Sequence, residues 1–495
     1  MKRLLFPLAL LCWLLWLVSP VGYGQTNGWS RPLRLGDGWF PDIATDVSGR
    51  VHLVYASAIG DSENYNGYDI VMYTSSLDGV KWSPANDIGA RPQVGGSEAT
   101  RPYLIADANN TLHLTFRDTT VFYAQVNALQ ASQASNWYNK PINQGYFSVV
   151  AQDSQNRLHL VYTDNVVTDQ CPICYHVYYT RSDDNGLSWS PSHDVSTLPI
   201  GSAKPRLVID EADNLALIWE AGIGGSYGQL VDPTTVQFAL STDRGQTWSL
   251  PTQLSPQNER ARQPGLGLDG QGNLVAVWLD PATDLIYYRV SSDRGRTWSA
   301  STLIPNTYGG WDIHPARLDH YVMERDSLGH LHLVLVGRTS REQRNLDLLH
   351  LVWDGQNWSN TDVIASFYGD VPEWPEIAIA NGNQLHVTWF IRPEAYIWSG
   401  GYASQIWYAQ RTLDAPGTAP APLPTLTPMP TPTGAPVITL PTTEPLSNEA
   451  IQSEALGFYG DITTENDEVF LILQSLIPAL LFIGLATTMA RRLRH

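Results

Sequence analysis

Cysteine is nearly missing from this 495-residue chain: three occur, and one of them, Cys12, lies in the amino-terminal apolar run. A disulfide scaffold is therefore excluded as the source of the fold. Methionine is scarce too, with five residues against 18 tryptophans and 23 tyrosines, a bias toward residues that suit pleated, half-buried surfaces. Basic residues number 30 against 48 acidic ones, for a formal charge of −18, which excludes long-range attraction to nucleic acid or anionic lipid. No phosphate-binding glycine loop, dinucleotide glycine pattern, serine-hydrolase elbow or His-Glu-x-x-His zinc motif occurs, and no cofactor or metal is expected. What remains is 43% hydrophobic, enough to bury a large core and to exclude disorder over most of the length.

The two ends carry targeting signals. Residues 1–24 place Lys2 and Arg3 before an apolar run from Leu4 to Val18 and close on Gly22-Tyr23-Gly24, the pattern of a removable export signal. Residues 469–490 carry no charge and would span about 33 Å as a helix, matching the bilayer core. Glu465, Asp467 and Glu468 precede this run and Arg491, Arg492 and Arg494 follow it, so the carboxyl terminus (491–495) is expected in the cytoplasm. Residues 415–447 hold ten prolines and almost no charge, a stalk of extended polyproline type, joined to the span by 448–468. The sequence thus predicts a single-pass cell-membrane protein whose main domain, 25–414, is extracellular.

Within that domain one pattern recurs: a proline, alternating apolar residues, an Asp-rich turn, a strand such as VHLVY (51–55), another strand, and a turn ending in Trp-Ser. The units start at Pro41, Pro102, Phe147, Pro205, Pro264, Pro315 and Pro375. Each reads as a four-stranded antiparallel meander. The last unit runs out after Gln405 to Thr412, whereas the chain opens on an orphan fourth strand, Gly28-Trp29-Ser30-Arg31. The expected fold is all-β, a seven-bladed propeller closed by its amino-terminal strand.

The turns between third and fourth strands carry the most specific motif. SSDRGRTW (291–298) and STDRGQTW (241–248) fit Ser-x-Asp-x-Gly-x-Thr-Trp fully, SDDNGLSW (182–189) fits with Ser for Thr, and SSLDGVKW (75–82) is a degraded copy. Asp accepts backbone N–H groups, Gly supplies positive φ and Trp packs between strands. With these Asp boxes (BNR repeats) the chain resembles the sialidase superfamily over about 385 residues, as a membrane-anchored surface protein of bacterial type. The resemblance implies a glycan as partner and exo-sialidase-type glycoside hydrolysis: three arginines on a sugar carboxylate, a Tyr nucleophile activated by Glu, and an Asp acid/base. The Arg-Ile-Pro motif of that family is absent, and the family enzymes have six blades where seven units are counted here.

Function in a propeller is sought where inner strands begin and where second strands lead into third. Arg101, Arg262 and Arg338 are the candidate clamp, because planar guanidiniums bind carboxylate bidentately. Tyr396 with Glu220 is the candidate nucleophile pair, and Asp118 the acid/base. For each, a solvated loop charge or an inter-blade ion pair is the competing reading. Trp39, Trp311 and Trp374 precede inner strands of neighbouring units and suit either a sugar platform or packing around the channel. Cys171 and Cys174 read as a local disulfide, since a zinc site would find only Asp169 and His176 nearby. Histidines 52, 113, 159, 332 and 386 recur with the repeat and read as framework. A non-catalytic glycan- or protein-binding propeller and a structural spacer remain as alternatives to the hydrolase.

Overall fold

Strict alternation and turn residues produce strands that pair with their sequence neighbours. In the computed structural model, which describes residues 28–61, 66–92, 101–168, 171–223, 230, 232–257, 260–310, 319–393 and 404–422, these form seven four-stranded antiparallel sheets. Blades 1 to 6 occupy 39–92, 103–144, 146–194, 201–253, 262–308 and 322–366, each ordered first to fourth strand. Blade 7 takes three strands from 370–412 and its fourth from Leu33–Asp37, which pairs antiparallel with Gln405–Thr412. Ser30 N also donates to Gln410 O at 2.8 Å, so closure extends back toward Trp29. The first strands of successive blades touch in an unbroken ring, blade 7 meeting blade 1, and so line the axis.

The blades are joined by a repeated polar and aromatic linkage. At the turn after the first strand Asp46 Oδ1 accepts from Ser48 N and Arg50 N, while its Oδ2 accepts from His52 Nε2 at 3.2 Å. His52 Nδ1 in turn accepts from Tyr73 Oη at 2.7 Å. Asp153, His159 and Tyr179 repeat the arrangement in blade 3. In the Asp box of blade 4, Asp243 accepts from Thr247 N at 2.8 Å and Gly245 N donates to Ser241 Oγ at 2.8 Å. The Trp248 ring then meets Tyr179 of blade 3 edge-on at 5.2 Å. Trp189 meets Tyr123, Trp298 meets Phe238 and Trp82 meets Tyr408 in the same way. Each box therefore docks its blade onto the blade before it, which is why the motif follows the architecture.

Beyond its last strand the chain remains bound to the ring. Leu413 N donates to Asn383 O, Thr418 N to Asn381 O and Ala421 N to Val47 O, and Ser327 Oγ donates to Pro416 O. Residues 413–421 thus cross the turns of blades 7, 6 and 1, several residues past the expected end of the domain at 414. Among the described residues no helix is long and apolar enough to cross a membrane. The expected leader 1–24 and span 469–490 lie outside the described residues, as does the whole of the separate unit 425–495.

Candidate functional site

The inner strands begin with a backbone irregularity that repeats around the axis. Phe40, Arg101, Phe147, Lys204, Gln263 and Trp374 all have φ between +40° and +54°, and all but Phe147 precede proline. Left-handed backbone is unfavourable for such side chains and costs on the order of 1 kcal/mol or more at each. Bulges accompany it, with pairing shifts between Trp39 and Asp42, Tyr146 and Val149, Ala203 and Arg206, Arg262 and Gly265, and Glu373 and Glu376. Each of these hub residues stands six positions before the turn residue of its blade, a spacing shared by His320 and Asp326 in blade 6.

That spacing corrects one sequence expectation. The sixth inner strand is Val322–Arg325, and its hub residue is His320, not the residue before Pro315. Trp311 and Pro315 lie outside the described residues. Counting back from Asp326 would have identified His320; the isolated Pro315 misled because prolines mark five of the other starts.

The hub is built of aromatic rings interleaved with cations. Phe40 and Trp374 meet at 4.9 Å, Phe147 stacks on Trp374 at 6.1 Å, and His320 meets Trp374 edge-on at 4.4 Å. The Arg101 guanidinium lies over Phe147 at 4.3 Å and Phe40 at 5.2 Å. Lys204 Nζ donates to Asp319 O at 3.1 Å and stands 3.9 Å from Glu220. Burial lowers its pKa to about 8 against the opposing pull of Glu220, with Arg262 pushing the same way as burial. Glu220 also accepts from Gln263 N at 3.2 Å. Across the hub Asp319 accepts from Trp374 N at 2.7 Å, and Arg392 grips both carboxylate oxygens of Glu373 at 2.6 and 2.8 Å. Burial first, then Glu373, raises the Asp319 pKa well above the usual carboxylate range.

The expected site residues divide accordingly. Arg101, Arg262, Glu220 and Trp374 are gathered at the hub and are buried. Trp374 packs within the channel, its ring 6% exposed residue-wide, and Trp39 beside Phe40 is half-buried. Arg338 is placed elsewhere: it donates to Gly309 O at 3.0 Å and pairs with Asp284 of blade 5, an inter-blade tie. Arg117 of blade 2 makes a tie of the same kind from a different position of its repeat, its Nε donating to Gly145 O between blades 2 and 3 at 3.0 Å. Asp118 caps its hairpin, accepting from Thr120 N at 2.7 Å, with Arg91 at 3.9 Å. Tyr396 lies outside the described residues. Cys174 is disulfide-bonded, and the side chain of Cys171 lies outside those described. Lys204, Asp319, Arg206 and Glu376 are charged positions at the axis that the expected set omits; their signal was a charge within two residues of the hub position.

Residues 123–387 match the family described as BNR repeat-like domain. No curated protein matches the chain. Among solved structures it is similar to a protein of unknown function from Dyadobacter fermentans, at 12% identity over 79% of this chain and 99% of that one, TM-score 0.48. It is similar to the NanB sialidase from Streptococcus pneumoniae, at 15% identity over 78% and 71%, TM-score 0.44. It is also similar to the intramolecular trans-sialidase from Ruminococcus gnavus, at 13% identity over 79% and 97%, TM-score 0.40. With the match running through more than half of the sequence and the Asp boxes seated between blades, the chain belongs to the BNR repeat-like domain family.

Proposed function

We propose that the propeller engages a carboxylate-bearing glycan at the hub, as a sialidase-like surface protein held to the membrane by residues 469–490. The observation that carries this reading is the cluster at the starts of the inner strands, where left-handed Phe40, Arg101, Phe147 and Trp374 bring a cation and aromatic rings into contact, with left-handed Lys204 in the same row. Strained backbone of this kind persists only where the surrounding structure over-determines it, and it clusters at ligand sites. Arg101, Lys204 and Arg262 supply charge for a sugar carboxylate, and Trp39, half-buried beside Phe40, supplies an apolar face for a pyranose ring above the packed Trp374. In the hydrolytic form of the proposal Tyr396 is the nucleophile, Glu220 its base and Asp118 the acid/base, with Trp39 and Trp311 flanking.

The test uses the full-length protein, a glycan array and a fluorogenic sialoside. Acidic glycans should be retained and neutral ones not, with Arg262→Gln weakening retention about tenfold or more. Turnover abolished by Tyr396→Phe establishes the hydrolase, and retention without turnover establishes a binding propeller. Silence in both assays sinks the glycan reading.

A further inference from the structure

Toward the turn end of the inner strands the axis opens into a cavity of about 280 Å³ that the hub reading does not use. Leu266, Met323 and Leu331 give it apolar walls, and Tyr103, Arg206, Glu324 and Glu376 give it polar ones. Two cations line it: Arg325, which donates to Asp269 O at 3.3 Å and stands 3.6 Å from Glu211, and Arg206. The Nη2 of Arg206 lies 3.7 Å from Glu376 Oε1, its guanidinium carbon 6.0 Å from the Trp374 ring, and its Nε, shielded from solvent, has no hydrogen-bond partner.

Glu376 is a poor counter-ion for that cation. Its Oε1 is also 2.8 Å from His320 Nε2, and it faces Asp42, whose Oδ2 accepts from Leu104 N at 2.6 Å. Burial holds the Asp42 pKa well above the carboxylate range, and the neighbouring Glu376 adds to the effect. Burial likewise lifts Glu376 to about 7, against the pull of Arg206. Two carboxyls whose burial favours the uncharged form leave the guanidinium beside them without a full counter-charge.

We infer that this axial cavity is a second ligand site, taking a small monocarboxylate with an apolar body whose carboxylate pairs with Arg206. The planar fork of the guanidinium suits a carboxylate, and the Leu and Met walls suit a short hydrocarbon or aromatic body. An anion at Arg206 favours the protonated form of Glu376, so binding draws in a proton and strengthens as pH falls through about 7. The other groups facing Glu376 do not reverse this sign. Burial keeps His320 neutral and raises Tyr103, and Glu324 also has a raised pKa from burial.

Benzoate is the probe, with benzamide as its neutral isostere, titrated calorimetrically into the full-length chain in two buffers of different ionisation heat. Benzoate should bind with proton uptake, and benzamide about tenfold more weakly or worse. Arg206→Gln should abolish benzoate binding, whereas Glu376→Gln should retain it and remove its pH dependence. The comparison of benzoate with benzamide needs no variant, so a poorly folding Arg206→Gln leaves the test intact. No benzoate binding at about 10 mM, or equal binding of benzamide, overturns the inference. Binding lost in Lys204→Gln but kept in Arg206→Gln also overturns it, by assigning the acid to the hub.

Discussion

Glu376 sets one sign of the pH response. Its folded-state pKa, about 7, exceeds its ordinary value of 4.5, so the stability it contributes is complete below the ordinary value and is lost as pH rises through the folded one. Glu376→Gln should therefore raise melting at about pH 8 relative to about pH 5, on the order of 2 kcal/mol in differential stability. The buried histidines act oppositely. Burial lowers His52, His159 and His332, and His386 falls to about 4, so stability drops as pH falls below 6.5 and the unfolded chain takes protons first. His386 lacks the Asp its counterparts have, because Ala380 occupies that position and Nε2 is left without a partner. Ala380→Asp should supply it, raising stability by about 1 kcal/mol in denaturant titration and lessening the acid sensitivity. The histidines were legible as framework from their recurrence alone. Arg206 and Glu376 were not, because a charge on an alternating strand reads as solvent-facing until closure turns it onto an axis.

An Asp box can be read in the sequence because its turn chemistry is local, but what the turn packs against cannot. Gly245 at φ +81° and Gly272 at φ +80° share a conformation and differ in surroundings. A Cβ on Gly245 would stand 1.8 Å from Tyr179 Oη of the preceding blade, and one on Gly272 would meet nothing within 4 Å. Gly272→Ala should cost about 1 kcal/mol, the backbone penalty alone. Gly245→Ala should cost about 2–4 kcal/mol, since blade docking is lost as well. Equal losses in denaturant titrations of the two variants would refute the docking role. The inner strands show the complementary limit. Their prolines were visible, yet the left-handed residue before each was not, because a residue before proline ordinarily prefers extended backbone.

Over the whole molecule, the seven repeats and the orphan strand at the amino terminus were enough to predict closure, since a blade short of one strand must find it elsewhere. Deleting residues 28–37 should leave the seventh blade with an open edge and replace one cooperative thermal transition with a broad one in calorimetry. The bonding of residues 413–421 to the ring had no such signal, for its prolines and alanines resemble the Pro/Thr-rich sequence that follows. Cutting after Thr412 should accordingly lower the melting temperature, while cutting after Pro422 should not. The same segment fixes a load path. Tension applied beyond residue 422 arrives first at Val47 of blade 1, then at Asn381 of blade 7 and Ser327 of blade 6. A pull on this segment is thus divided among three blades before it can peel the outgoing strand Gln405–Thr412 from its sheet, and it enters at the turn end of the ring, behind the hub.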